Sequence, residues 1–248
     1  MSPILAAAAV ALAATPALAA ASPTLFPSTD FPTPDGPPVT VTCLKHATLH
    51  IRYADLEIHV DPVSTGIPPA TDYAAYPKAD LVLVTHEHFD HFDRAAIDTL
   101  TKDGTVLIAN PAVHAMLGSG TALANGDRLQ LRPDVAIEAV PACNTTPERL
   151  KFHPRGRDNG YVLTLGGFRL YVAGDTEDIP EMADLRDIDL AFLPCNLPYT
   201  MTPEQTAAAA LSFRPKVLVP YHYGATPVRR VADLLAGSGI DVRIPAAP

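Results

Sequence analysis

The sequence predicts an α/β fold, sheets packed face to face with helices outside, and three observations carry that reading. Short continuous apolar runs recur in both halves, Leu81-Val82-Leu83-Val84 and Val217-Leu218-Val219, as strands buried on both faces require. Gly166-Gly167 separates two β-rich stretches, 161–165 and 168–173, and is a strong hairpin signal because both turn positions can take φ > 0. Helix starts fall between the strands: Asp93 can cap a helix over Arg94–Leu100, and Thr202-Pro203-Glu204-Gln205 has a capping threonine, proline at the first position and glutamine at the third.

The elements then follow in order. Residues 39–53 and 56–60 read as two strands rich in β-branched residues, with Ala54-Asp55 at the turn and Asp61-Pro62 ending the second. A Pro-rich loop leads to the strand at 81–84, then the helix capped by Asp93, the turn at Asp103-Gly104, a buried strand at 106–109 and a short helix after Asn110-Pro111. Residues 129–140 hold two strands broken at Pro133, and 188–193 form a strand before the helix at Thr202. No repeat of 20 to 50 residues is visible, although the apolar strands of both halves deliver the chain to a histidine.

Composition bounds the function. In 248 residues, 48% hydrophobic and 18% charged, there is enough apolar material for a sizeable core. The net charge of −9, with no basic stretch longer than Arg229-Arg230, argues against a nucleic-acid binder. Residues 1–21 read as a signal peptide: 4–14 are almost wholly apolar and Ala17-Leu18-Ala19 gives the small-x-small pattern, although no Lys or Arg precedes Ile4. The run is too short for a permanent membrane span. A secreted or periplasmic location follows if it is a signal, a cytoplasmic one if it is only an alanine-rich tail. Residues 22–38, dense in Pro, Ser and Thr, read as a linker, and 39–248 as one domain. Cys43, Cys143 and Cys195 make no metal-binding pair by spacing, and any bridge among them is left open.

The chemistry concentrates in Thr85-His86-Glu87-His88-Phe89-Asp90-His91. In an extended segment His86 and His88 point the same way and can share one metal, while Asp90 and His91 follow at the turn and can face a second. Mixed imidazole and carboxylate donors suit zinc, and also manganese or iron.

This motif after a strand resembles the hallmark of the metallo-β-lactamase fold hydrolases, His-x-His-x-Asp-His, and the chain most resembles the broad branch of metal-dependent hydrolases that looks like the ascorbate-6-phosphate lactonases. The resemblance implies a four-layer αβ/βα sandwich with metals at one edge. It places His86, His88 and His153 (in Lys151-Phe152-His153-Pro154) at one ion, Asp90, His91 and His222 (in Pro220-Tyr221-His222-Tyr223-Gly224) at the other, and Asp175 of Gly174-Asp175-Thr176 between them. Two divalent ions, zinc first, and a water activated between them are implied, with Asp90 orienting that water, on a small ester, lactone or phosphodiester. The two dications make an anionic small molecule an acceptable substrate. The alternatives are a non-catalytic metal- or ligand-binding member of the fold, a β-lactamase or a nuclease. His46 and Asp61 match family positions near the metals, as outer partners or substrate contacts, and Tyr199 and Thr200 a loop beside the site. His50, His59 and His114 read as ordinary structural residues.

Overall fold

Two seven-stranded sheets organise residues 26–245, the part of the chain that the computed structural model describes. The expected signal peptide lies outside the described residues. The first sheet runs in chain order: β1 (Phe26–Phe31), β2 (Val39–Lys45), β3 (Thr48–Tyr53), β4 (Leu56–Val60), β5 (Leu81–Val84), β6 (Val106–Ala109) and β7 (Thr121–Ala122). The second follows likewise: β8 (Arg128–Arg132), β9 (Val135–Ala142), β10 (Asp158–Leu165), β11 (Phe168–Val172), β12 (Leu190–Pro194), β13 (Val217–Tyr221) and β14 (Asp241–Val242). In each sheet the first four strands pair antiparallel and the remaining ones parallel. The two halves therefore share one plan, too long in period to register as a short repeat.

Four helices, α1 (Arg94–Leu100), α2 (Pro111–Leu117), α3 (Pro203–Phe213) and α4 (Arg229–Leu234), connect the parallel strands. Asp93 caps α1 by accepting from the Ala95 and Ala96 amides, and the expected capping box of Thr202 and Gln205 opens α3. Alternation along β5 shows the layering. Leu81 and Leu83 enter the large core shared with Ile137, Leu163 and Leu170 of the second sheet, while Val82 and Val84 face Ile97, Leu100 and Val113 of α1 and α2. Both faces are buried, as its uninterrupted apolar run requires.

Two expectations are revised. Residues 39–53 are not one strand: the chain reverses at His46, at φ 44°, and β2 pairs antiparallel with β3. The segment expected as a Pro-rich linker, 22–38, carries β1, whose Phe26 and Phe31 are buried in the main core. Pro27 fits there because β1 is the edge strand, where a missing N–H breaks no ladder. Among the described residues, the folded unit thus begins at Phe26 rather than at Val39.

Candidate metal centre

The ends of several strands converge on one edge of the sandwich. β5 delivers His86, His88, Asp90 and His91; β11 leads through Gly174 to Asp175; β13 ends at Tyr221, one residue before His222. His153 comes from the loop between β9 and β10, and His46 from the β2–β3 turn. Gly174 is required where it stands: at φ 65° a Cβ would lie 2.7 Å from the Asn159 carbonyl. Tyr161 and Tyr221 tie these ends together, Tyr161 Oη donating to the Val84 carbonyl at 2.8 Å and Tyr221 Oη accepting from Gly174 N at 2.9 Å.

Two donor groups result, each with its ligand atoms within 4.8 Å of one another: His86, His88, His153 and Asp175, and His46, Asp90, His91 and His222. Asp175 stands between them. Its Oδ2 is 3.3 Å from His153 Nε2 and 3.3 Å from His222 Nε2, and its Oδ1 is 3.2 Å from His91 Nε2. His46 Nε2 approaches Asp90 Oδ2 at 3.1 Å, and its ring lies 3.7 Å from that of His222.

Outer partners aim these rings. His86 Nδ1 donates to Thr85 Oγ1 at 3.0 Å, His91 Nδ1 to Asp61 Oδ2 at 2.8 Å and His153 Nδ1 to Asp158 Oδ2 at 3.0 Å. Each bond leaves Nε2 facing the cluster, as a metal-ligating histidine requires. Inside the cluster, by contrast, polar atoms crowd together unsatisfied: His91 Nε2, Asp175 Oδ1 and His222 Nε2 are buried without a hydrogen bond. His86 Nε2 and His88 Nδ1 face each other at 3.1 Å. Imidazole nitrogens and carboxylate oxygens gathered this closely out of water suit a bound cation.

The electrostatics agree. Burial opposes the charge of Asp175, yet His222, His91 and His153 hold its carboxyl well below the usual range. Burial likewise opposes protonation of His153, but Asp158 and Asp175 raise it to about 8, and Asp175 and Asp61 overcome burial to raise His91. His86 and His46 go the other way, lowered first by burial and then by neighbouring imidazoles, His46 to about 4. The site attracts positive charge at its carboxylates while keeping part of its imidazole set neutral and available.

Residues 57–223 match the family model described as "Beta-lactamase superfamily domain". A UPF0173 metal-dependent hydrolase from Thermococcus onnurineus is 33% identical over 198 residues, 76% of this chain and 86% of that protein. The chain belongs to the metallo-β-lactamase superfamily of hydrolases. A UPF0173 metal-dependent hydrolase from Symbiobacterium thermophilum is 34% identical over 200 residues, covering 75% of this chain and 84% of its own. Among solved structures, a protein described as a metal-dependent hydrolase, from Parabacteroides distasonis, is 53% identical, with TM-score 0.85 over 89% of this chain and 98% of that one. A metallo hydrolase from Ignicoccus hospitalis is 26% identical, with TM-score 0.68 over 81% and 91%. This superfamily hydrolase is metal-dependent, and its His/Asp clusters are suited to divalent ions.

The other expected residues divide. Asp61 does not reach the clusters but is fully buried behind them, holding His91 and accepting from Thr85 N and Thr85 Oγ1, both at 2.7 Å. Tyr199 lines the cleft, whereas Thr200 is buried and closes its own loop, its Oγ1 accepting from Asn196 N at 2.8 Å. His46, expected as an outer partner or substrate contact, stands among the potential ligands. Sequence reasoning missed Thr85 and Asp158 as orienting partners, though Thr85 abuts the motif and Asp158 follows His153 by five residues. His50 and His59 pack together at 4.6 Å outside both donor groups, and His114 sits in the last turn of α2. All three cysteines are buried and free. No helix among the described residues is long and apolar enough to cross a membrane.

Proposed function

We propose that the chain is a dinuclear hydrolase of small ester, lactone or phosphodiester bonds, with zinc as the ion best matched to its imidazole and carboxylate donors. The observation that carries this reading is the pair of donor groups adjoining one carboxylate, Asp175. His86, His88 and His153 would hold one ion and Asp90, His91 and His222 the other, with Asp175 between them. Bound there, such ions would supply Lewis-acid chemistry, lowering the pKa of water and polarising the bond under attack.

The side chains have separable tasks. Thr85, Asp61 and Asp158 fix ring orientation. Although burial opposes its charge, Asp90 is held ionised by His222 and His46, so it serves as a hydrogen-bond acceptor that orients the attacking water. Residues 1–21 direct export in this reading, and sequencing the mature amino terminus tests that part.

Elemental analysis of the purified chain, paired with an ester, lactone and phosphodiester panel, is the decisive experiment. The expected result is close to two transition-metal ions per chain. His88→Ala and Asp175→Ala should lose metal and turnover together, by more than the roughly 10- to 100-fold that loss of an outer partner costs. A chain that binds no metal even after reconstitution overturns the proposal.

A further inference from the structure

The donor groups open onto a cleft of about 410 Å³ whose remaining walls are apolar, formed by Ile67, Phe89, Phe152 and Tyr199, with Asn196 as a neutral polar contact. Phe89 follows His88 directly and is 71% exposed; Phe152 immediately precedes His153. Two aromatic rings thus ride on the same backbone as two potential ligands. A ring so exposed leaves apolar surface in water that a bound apolar group would cover.

The far wall is already arranged. Phe152 and Tyr199 pack edge to face with centroids 5.0 Å apart, and the Tyr199 carbonyl accepts from Asn144 Nδ2 at 2.8 Å. Among the described residues, no Lys or Arg lines the cleft. The nearby guanidiniums are engaged elsewhere, Arg149 with Glu177 at 2.7 Å and Arg157 with Asp158 at 2.6 Å and Glu87 at 3.1 Å. Lys151 stands outside the lining, its Nζ 5.0 Å from the Phe152 ring centroid. A substrate carrying a negative group away from the scissile bond would find no cation among the lining residues, only the Lys151 ammonium beyond the Phe152 ring, and fork-like anion recognition has no arginine to supply it.

We infer that the substrate is an uncharged carboxylic ester or lactone bearing an apolar arm, aryl or medium-length acyl, which lies against Phe89, Phe152 and Tyr199 while its carbonyl faces the imidazole cluster. This rests on the hydrolase reading above and narrows it, replacing the anionic substrate that metal charge alone suggested. The reaction balances as hydrolysis: the acyl carbon gains the water oxygen, its bond to the alcohol oxygen breaks, one water proton ends on the alcohol and the other leaves the carboxylic acid for solvent.

The test uses the full chain reconstituted with zinc, its metal content measured, on p-nitrophenyl octanoate, p-nitrophenyl acetate and bis(p-nitrophenyl) phosphate. The octanoate should exceed the acetate in kcat/KM by about tenfold or more, as pocket discrimination on apolar groups allows. Phe89→Ala and Phe152→Ala should each shrink that ratio severalfold at unchanged metal content, and Phe89→Leu should recover most of it. Calorimetric binding of a non-hydrolysable neutral ketone, 2-decanone against 2-butanone, to the metal-free chain reads the same preference without turnover, with Phe89→Ala again removing it. Turnover without arm dependence, or preference for the phosphate, overturns the substrate class and leaves the hydrolase reading intact. Absence of turnover on every substrate at full metal content overturns the hydrolase reading instead, and the ketone pair then decides the character of the cleft: equal binding of the two ketones overturns it.

Discussion

Asp61 shows how much of a candidate metal site would rest on a side chain outside both donor groups. It sits at φ 47°, fully buried, where one carboxylate orients His91 and fixes Thr85, which in turn accepts from His86. Asp61→Asn keeps the shape but exchanges one acceptor for a donor, so His91 loses the partner that turns its Nε2 inward. Zinc affinity should fall by about 10- to 100-fold, measured by competition with a chromogenic chelator; unchanged affinity would mean that packing alone orients His91. His59 offers a contrasting residue-scale prediction. It is buried with neither ring nitrogen hydrogen-bonded, and burial, with a further push from His50, lowers it to about 3. An unfolded histidine takes up a proton near 6.5, so below that pH the unfolded chain binds more protons. Stability from this residue is whole above about 6.5 and drains as pH falls toward 3, by up to about 1.4 kcal/mol per pH unit. His59→Phe should flatten the urea-denaturation stability profile across that window, and a profile as steep as the parent's would assign the slope to other groups.

At the scale of elements, the β2–β3 hairpin shows both the reach and the limit of sequence reading. The strand at 81–84 and its histidine motif were legible because the apolar run and the ligand spacing are local properties. The break at His46 was not, because β-branched residues flank it on both sides and no glycine or proline marks it. Tertiary contacts hold that turn instead: the His46 carbonyl accepts from His222 N at 3.0 Å, joining the two halves. The same applies to β1, hidden by the Pro-rich composition around it, and to β7 and β14, two residues each and too short to show a period. Lys45, beside the turn, is almost wholly buried, its Nζ donating to the carbonyls of Ser64, Ile67 and Pro69 at 2.9 to 3.1 Å. It pins the loop whose Ile67 forms part of the cleft. Lys45→Met should therefore leave three carbonyls without their donor and cost about 2–4 kcal/mol, given that each bond to a charged group contributes about 1.5–3 and the loop can relax toward solvent. Chemical denaturation measures it, and a loss below about 1 kcal/mol would show that the loop holds without the cation.

Across the whole molecule, the donor groups are a junction between two similarly built halves. The first sheet's half supplies His46, His86, His88, Asp90 and His91, and the second's supplies His153, Asp175 and His222. Each four-residue group draws on both halves, so an ion in either one cross-links them and binds the folded chain in preference to the unfolded one. Metal held at about 1,000 times its dissociation constant stabilises by about 4 kcal/mol. For a chain of this size that corresponds to a Tm about 8–16 °C higher than after chelation. Protons compete for the same junction. His153, raised to about 8 by Asp158 and Asp175 against burial, carries a proton at neutral pH that an arriving ion must displace. Apparent zinc affinity should therefore climb with pH through about 8 and beyond, since His91, also raised by Asp175 and Asp61 against burial, has a proton to lose as well, and metal binding at neutral pH should acidify a weakly buffered solution. Calorimetry in two buffers of different ionisation enthalpy counts the protons released, and differential scanning with and without chelator reads the shift in Tm. An unchanged Tm after complete metal removal, confirmed by elemental analysis, would mean that the sheet-to-sheet core alone joins the halves.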